Sequence, residues 1–309
     1  MESIFTLSIV KSALELGCIY ALVALALFIS FSILNIADLS TDGCFTLGCS
    51  VCAVITMAGH PILALFAAIA AGVCSGYVTA FLQTKMGIES ILAGIIVNTG
   101  LYTVNIAVMG FSSYVNMHKC DTIFSLVKDT LGPDWYKLIV VLVIVLLAGM
   151  LIALFLRTRL GLSIRATGDN ADMVRASSIN PAFTITIGLC VANSLTSLSG
   201  GILAQYQKSC DINLGTGMVT IALASLIIGE SIVGKGSILR RVIGVILGSC
   251  LYRFIVAVAL RLSVPAECLK LVSAIIVAIA IASPYLKKKL SFYRQRRIAI
   301  KSRSNQEVH

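Results

Sequence analysis

The chain has 309 residues, of which 58% are hydrophobic and 12% charged, and its net charge is +10. A soluble domain carries about 25% charged residues, so this sequence has too little polar material to cover a water-exposed surface, and its mean hydropathy of +0.97 assigns it to a bilayer. The basic excess does not indicate nucleic acid: Lys287, Lys288, Lys289, Arg294, Arg296, Arg297, Lys301 and Arg303 crowd the end of the chain directly after its last apolar stretch, as on the cytoplasmic flank of a membrane helix.

Met1-Glu2-Ser3 lacks the basic start of a cleaved signal, and the apolar stretch 16–37 exceeds the core of one, so it reads as a retained first helix. Asp38 and Asp42 follow, with Gly43 opening the next apolar segment. Either they cap that helix at the inner interface, or the chain enters the membrane as a broken helix. Residues 43–84 are uncharged, long enough for two spans of about 20 residues broken at Gly59-His60-Pro61. A further uncharged stretch, 90–118, runs into an outer loop at 111–137 that carries Tyr114, His118, Trp135 and Tyr136, with Gly132-Pro133-Asp134 as a turn before an interfacial aromatic anchor.

Stretch 138–156 leads to an inner loop, 157–181, and then 176–207, 212–229, 242–260 and 271–286 complete the series. The expectation is an all-α polytopic membrane protein of about nine spans, within a range of eight to ten. Residues 1–286 form the membrane domain and 287–309 a basic cytoplasmic tail. Counting back from that tail puts Lys235, Arg240, Arg241, segment 157–175 and Lys85 on its side, so that 16 of the 24 Lys and Arg are cytoplasmic and the N-terminus faces outward. Cys18, Cys44, Cys49, Cys52, Cys74, Cys190 and Cys250 lie in or beside spans, where they act as small apolar residues; none has zinc-site spacing, and no metal is expected.

The inner loop reads as a short helical module. Gly168 ends one helical piece, Asp169 or Asn170 caps the next, and Met173 and Ala176 share a face. On pattern alone it is either an amphipathic elbow on the membrane surface or a docking element for a cytoplasmic partner. Gly161, Arg165, Ala166, Gly168 and Asn170, followed by Ala176, Ile179 and Asn180, resemble the coupling loop of bacterial ATP-binding-cassette importer permeases of the branched-chain amino acid and ribose type; Ser178 stands where that family usually has Gly. The resemblance extends along the chain through Leu34 to Gly43, Gly100 to Asn105 with Met109-Gly110, Leu203 to Gln207, and Asp211 to Gly217. These motifs resemble a subgroup associated with binding proteins for tryptophan or tyrosine.

The resemblance implies a permease subunit in a bacterial plasma membrane, paired with a second permease copy. It implies delivery of a small solute, an aromatic amino acid, by an extracytoplasmic solute-binding lipoprotein, and coupling to cytoplasmic ATPase subunits. It also makes Gly161, Arg165, Ala166, Gly168, Asp169, Asn170, Met173 and Arg175 the coupling residues, with Arg165 and Asp169 the leading partner contacts. Gly234-Lys235 is followed by Gly236 rather than by Ser or Thr, so ATP and Mg are expected on the partner, with no cofactor and no catalytic residue in this chain.

Polar groups inside apolar segments mark a translocation path, because a carboxylate at mid-bilayer costs about 2.5–3.5 kcal/mol. Asp38 and Asp42, with Asp211 to Gly217 opening a later span from the opposite side, suggest an inverted repeat. Asn35, Asp38, Asp42, Asn98, Asn105, Asn193, Gln205 and Asp211 are the path candidates; the plainer role for each is an interhelical hydrogen bond. Ser197-Leu198-Ser199-Gly200-Gly201 offers a close-packing surface, and Arg253 is expected to pair with Glu230 or reach the interface. The alternative is a secondary transporter driven by an ion gradient, for which Glu15, Asp38, Asp42 and Arg253 are the ionisable groups at hand. An intramembrane enzyme ranks third, since neither His60 nor His118 has a nucleophile and carboxylate beside it in a span.

Overall fold

In hydrocarbon each backbone N–H and C=O must be satisfied within its own segment, so long uncharged stretches become helices. The computed structural model describes residues 7–131, 135–234 and 236–261, with isolated positions at 271, 274, 275, 278 and 282. Apart from those positions, the expected last span at 271–286 lies outside the described residues, as do the tail, the Gly132-Pro133-Asp134 turn and Lys235. Helix α1 (Leu7–Leu27) runs into a π-helical turn (Phe28–Ile33), followed by α2 (Thr41–Met57), α3 (Pro61–Thr84), α4 (Ser90–Val108), strand β1 (Tyr114–Asn116), α5 (Ile123–Leu131) and α6 (Tyr136–Phe155). Then come α7 (Arg159–Asp169), α8 (Ala171–Ala176), α9 (Pro181–Gln207), β2 (Ser209–Asp211), α10 (Met218–Val233) and α11 (Ile238–Arg261).

Six of these helices are long and apolar enough to cross a membrane: α1 with its π turn, α3, α4, α6, α9 and α11. Helices α2 and α10 are apolar but shorter. They match, one for one, the spans read from the sequence up to residue 260. The first helix starts earlier than expected, taking in Lys11 and Glu15. Lys11 Nζ lies 5.4 Å from the centre of the Trp135 ring, and Glu15 accepts the Tyr206 hydroxyl at 2.7 Å.

Helices α1 and α9 form the centre, buried along most of their apolar length, whereas α3, α4 and α6 are buried along a third of theirs or less. Small residues let α9 approach its neighbours. A Cβ on Gly48 would overlap the Ser197 backbone, and one on Gly72 would overlap Asn193. Ser197 Oγ donates to the Ala68 carbonyl at 2.5 Å, and Ser199 Oγ to that of Ile19 at 2.7 Å. The 197–201 run therefore binds α9 to α1 and α3, as in membrane bundles generally.

The two ends of the bundle differ. One end carries α7 and α8, the start of α9 and α11, and the close of α3 and α10, with Lys85, Arg157, Arg159, Arg165, Arg175, Arg240 and Arg241. The other carries a small antiparallel pair in which Tyr114, Val115 and Asn116 face Asp211, Cys210 and Ser209. At the basic end Arg241 Nη2 reaches Glu230 Oε1 at 2.6 Å, Ser32 Oγ donates to the same oxygen at 2.8 Å, and the guanidinium lies 4.8 Å over the Phe28 ring. Glu230 is thus taken by Arg241 and not by Arg253, which instead stacks 3.7 Å over the Tyr20 ring, where the π face offsets its charge.

Helix α8 ends in paired bonds, Ile179 N–H to the Val174 carbonyl and Ser178 N–H to that of Arg175, both at 3.2 Å. This closure needs a left-handed residue at Ser178, whose φ is +62°, and glycine takes that conformation without steric cost. Ser178→Gly is predicted to stabilise the chain by about 1 kcal/mol, seen as a higher melting temperature in detergent. Arg241→Ala is predicted to destabilise by about 3 kcal/mol by stranding the Glu230 carboxylate, and Glu230→Leu/Arg241→Met to recover most of that loss in the same melt.

Candidate functional site

Two helices begin inside the bundle, entered from opposite ends. After the π turn the chain leaves helical geometry over residues 34–40, with Asn35 at φ +56°. Asp38, 2% exposed, accepts the Ser40 N–H at 2.8 Å and the Ser40 hydroxyl at 2.6 Å on Oδ1, and Asn193 Nδ2 at 3.2 Å on Oδ2. Asn193 lies about 18 Å along α9 from Pro181, at 1.5 Å per residue, so α2 starts deep within the membrane. Asp38 therefore does not cap α2 at the interface, and the broken-helix alternative holds. Helix α2 then runs alongside α9, with Cys44 Sγ bonded to the Asn193 carbonyl at 3.3 Å and Cys49 Sγ to that of Gly200 at 3.1 Å.

From the other end, residues 212–217 follow β2 inward and α10 begins at Met218, preceded by Gly217 at φ +87°. Asp42, in the first turn of α2, directs its carboxylate at this second helix and not at its own. Oδ2 accepts Gly217 N–H and Oδ1 accepts Val219 N–H, both at 2.9 Å, and Thr46 Oγ1 accepts Gly215 N–H at 3.1 Å. The N-termini of the two short helices, each the positive end of a helix dipole, thus meet around one carboxylate.

Between α2, α4 and segment 212–217 lies a cavity of about 420 Å³, lined by Asp42, Gly43, Thr46, Asn98, Thr99, Tyr102, Thr103, Asn105, Ile212, Asn213 and Thr216. Of the eight path candidates, the structure brings Asp42, Asn98 and Asn105 to this cavity. Asn105 Nδ2 donates to the Gly43 carbonyl at 3.1 Å, tying α4 to the first turn of α2. Asp38 and Asn193 form a closed network behind it with Ser40 and Thr79. Gln205 binds helices together, its Nε2 on the Pro61 carbonyl at 2.8 Å and its Oε1 on Ile123 N–H at 2.9 Å. Asn35 is exposed at the basic end, and Asp211 accepts Asn213 N–H at 2.7 Å at the opposite end.

Thr46 and Thr99 were not singled out by sequence reasoning, and Tyr102, Thr103, Asn213 and Thr216, which fall within the motifs 100–105 and 211–217, were not named among the path candidates. Hydroxyls in apolar helices ordinarily bond the carbonyl one turn back, as Thr99 Oγ1 does with Ile95 at 2.9 Å, so single threonines carry no signal. Polar residues at 98, 99, 102, 103 and 105 do, at helical spacing on one side of α4.

At the basic end, Gly161 packs on the backbone of Phe155 and Leu156, and Gly168 on the Ile33 carbonyl, each so closely that a Cβ would overlap. Gly168 does not end its helix, as the sequence had suggested; it lies in the last turn of α7, held against the close of the first span. Of the two expected caps Asn170 serves, its Oδ1 accepting Asp172 N–H at 3.1 Å and Met173 N–H at 3.0 Å, while Asp169 is exposed. Ala166, Met173 and Arg175 are also exposed and Arg165 is half-buried; Arg175 stands 3.8 Å from Asp172 in water. The coupling candidates therefore divide into Gly161, Gly168 and Asn170, which build the module, and Arg165, Ala166, Asp169, Met173 and Arg175, which its surface presents. Among the described residues, no group of three or more His, Cys, Asp or Glu stands together as a metal site.

Residues 9–281 match the family described as "Branched-chain amino acid transport system / permease component". The tyrosine transport system permease protein of Clostridioides difficile is 32% identical over 280 residues, covering 90% of this chain and 92% of its own length. An uncharacterised Rickettsia prowazekii protein, RP368, is 28% identical over 288 residues, covering 90% of this chain and 98% of its own. The ribose import permease protein RbsC of Escherichia coli K12 is 25% identical over 228 residues, covering 71% of this chain and 67% of its own. No solved structure matches the chain. A bundle of apolar helices matched along nearly its whole length belongs to the branched-chain amino acid transport system permease family, and the chain is a multi-pass permease component of a transport system.

Proposed function

We propose that the chain is the membrane subunit of an ATP-binding-cassette importer for an amino acid, of the aromatic class, in a bacterial plasma membrane with its basic end in the cytoplasm. ATP is hydrolysed on a separate partner that docks on α7 and α8, a solute-binding lipoprotein delivers substrate at the end that carries β1 and β2, and a second copy of the permease completes the assembly. The name carried by the tyrosine permease relative supports the substrate class, and the concentration of basic residues at one end supports the orientation.

The observation that carries this reading is a continuous chain of contacts from the surface module to the cavity. Gly168 of α7 rests on the Ile33 carbonyl, and Leu34 packs on Gly188 of α9. The non-helical segment 34–40 then leads to α2, whose Asp42 holds the start of α10. A partner that displaces α7 pushes the point where the first span gives way to this segment, and so shifts two helix starts that border the cavity. Movement there opens the cavity to one end and then the other, the alternating access of a transporter built on discontinuous helices.

ATP-dependent uptake of labelled tyrosine into vesicles bearing the permease, its ATPase and its binding protein tests the function directly; no uptake in a system that hydrolyses ATP removes the substrate class. Arg165→Glu is expected to leave the complex folded and lower substrate-stimulated ATP hydrolysis by about tenfold or more, as reversal of a contact charge does; unchanged stimulation removes the docking role. Met173→Cys, 69% exposed at the basic end, should react with a membrane-impermeant maleimide only after cells are opened, measured above the labelling of the parent chain. Labelling of intact cells reverses the orientation.

A further inference from the structure

At the end of the bundle away from the basic module, a groove of about 460 Å³ separates the first turns of α1 from the last turns of α11. Ile9 and Leu16 of α1 and Val256 and Leu260 of α11 give it apolar walls. Ser12, Arg253 and Arg261 supply its polar lining, and no acidic residue is among the described residues around it. Arg261 closes α11 and is exposed, whereas Arg253 lies about 12 Å further in along the helix and is half-buried. Below the groove the two helices meet: a Cβ on Gly17 would overlap the Cys250 backbone, and Ser249 Oγ donates to the Gly17 carbonyl at 2.7 Å.

The Tyr20 ring covers one face of the Arg253 guanidinium, but a guanidinium directs its N–H donors in its own plane, where an anion binds best. Among the described residues no carboxylate pairs with Arg253; the two ion pairs are Arg241 with Glu230 and Arg175 with Asp172. Glu15, the acidic residue of α1, is turned to Tyr206. A cation in an apolar helix bundle without an anion is costly, and Arg261 adds a second positive charge to the same groove. The level is that of the bilayer interface: Ser12 follows Lys11, which lies against the Trp135 ring, and tryptophan settles at the height of the lipid head groups. A small free anion would answer the charge but leave the apolar walls uncovered; an amphiphile with a negative head group answers both.

We propose that the groove between α1 and α11 binds an anionic phospholipid, its phosphate group on Arg253 and Ser12, its apolar part against the groove walls, and Arg261 at the mouth favouring a net negative head group. The lipid ties α1 to α11. Through Tyr20, whose ring stacks at 6.3 Å on Phe45 of α2, its presence is also felt by the helix whose first turn borders the translocation cavity. The site does not depend on which solute the permease carries.

Native mass spectrometry of the full-length permease in detergent tests the site, with dioleoyl phosphatidylglycerol, dioleoyl phosphatidylcholine and glycerol 3-phosphate as the added probes. Phosphatidylglycerol is expected to be retained about tenfold more than phosphatidylcholine, and glycerol phosphate to be lost. Arg253→Gln removes the charge and should bring phosphatidylglycerol down to the phosphatidylcholine level. Ala257→Phe, at a lining position, fills the groove with both arginines in place and should do the same, so the site stays testable even where Arg253→Gln does not fold. Equal retention of the two lipids by the parent chain, or undiminished retention of phosphatidylglycerol by either folded variant, overturns the assignment. Glycerol phosphate held as firmly as the lipid overturns it too, by making the groove a site for free anions.

Discussion

A carboxylate in hydrocarbon must be met by donors, and the architecture of this permease is organised around how Asp42 meets them. Its two oxygens take backbone N–H groups from a helix 175 residues away in sequence, which fixes the start of α10 against the start of α2. Without that pairing, segment 212–217 would bring unsatisfied backbone into the membrane with nothing to hold it. With it, two discontinuous helices, each entered through non-helical chain, become one rigid junction at depth. Irregular backbone is tolerated at this level because it is enclosed by protein and borders a cavity.

The same economy of polar groups recurs elsewhere. Asp38 is satisfied by Ser40 and Asn193, Glu230 by Arg241 and Ser32, and Arg253 by the face of Tyr20. Each group has one partner far along the chain, Asn193 for Asp38, Ser32 for Glu230 and Tyr20 for Arg253, so the charged residues act as fasteners between helices that apolar packing alone would leave free to slide. Lipid gives no hydrophobic preference for one helix–helix arrangement over another, and close small-residue contacts along α9 supply the remaining specificity.

The spans were legible because uncharged stretches of sufficient length have one physical outcome in a bilayer. That α1 takes in Lys11 and Glu15 was not, since they interrupt the apolar run and are met by Trp135 and Tyr206, which the fold brings from far along the chain. Asp42 and the 211–217 segment could be recognised as similar openings, but not that they meet. Local pattern likewise mistook Gly168 for a helix end, when its small size serves contact with Ile33. Among the polar candidates, Asn105, which borders the cavity, and Gln205, which binds four segments together, are equally buried, and only the partners that the fold brings to them divide their roles.

The three-residue strands at the end opposite the basic module join the chain leaving α4 to the chain leaving α9, with flanking bonds from Ile212 N–H to the Ser113 carbonyl at 3.0 Å and from Met117 N–H to that of Lys208 at 2.9 Å. Those two chain segments continue into opposing walls of the cavity, α4 on one side and 212–217 on the other. The ladder is therefore a tie between the two walls: they part at that end only where its rungs break.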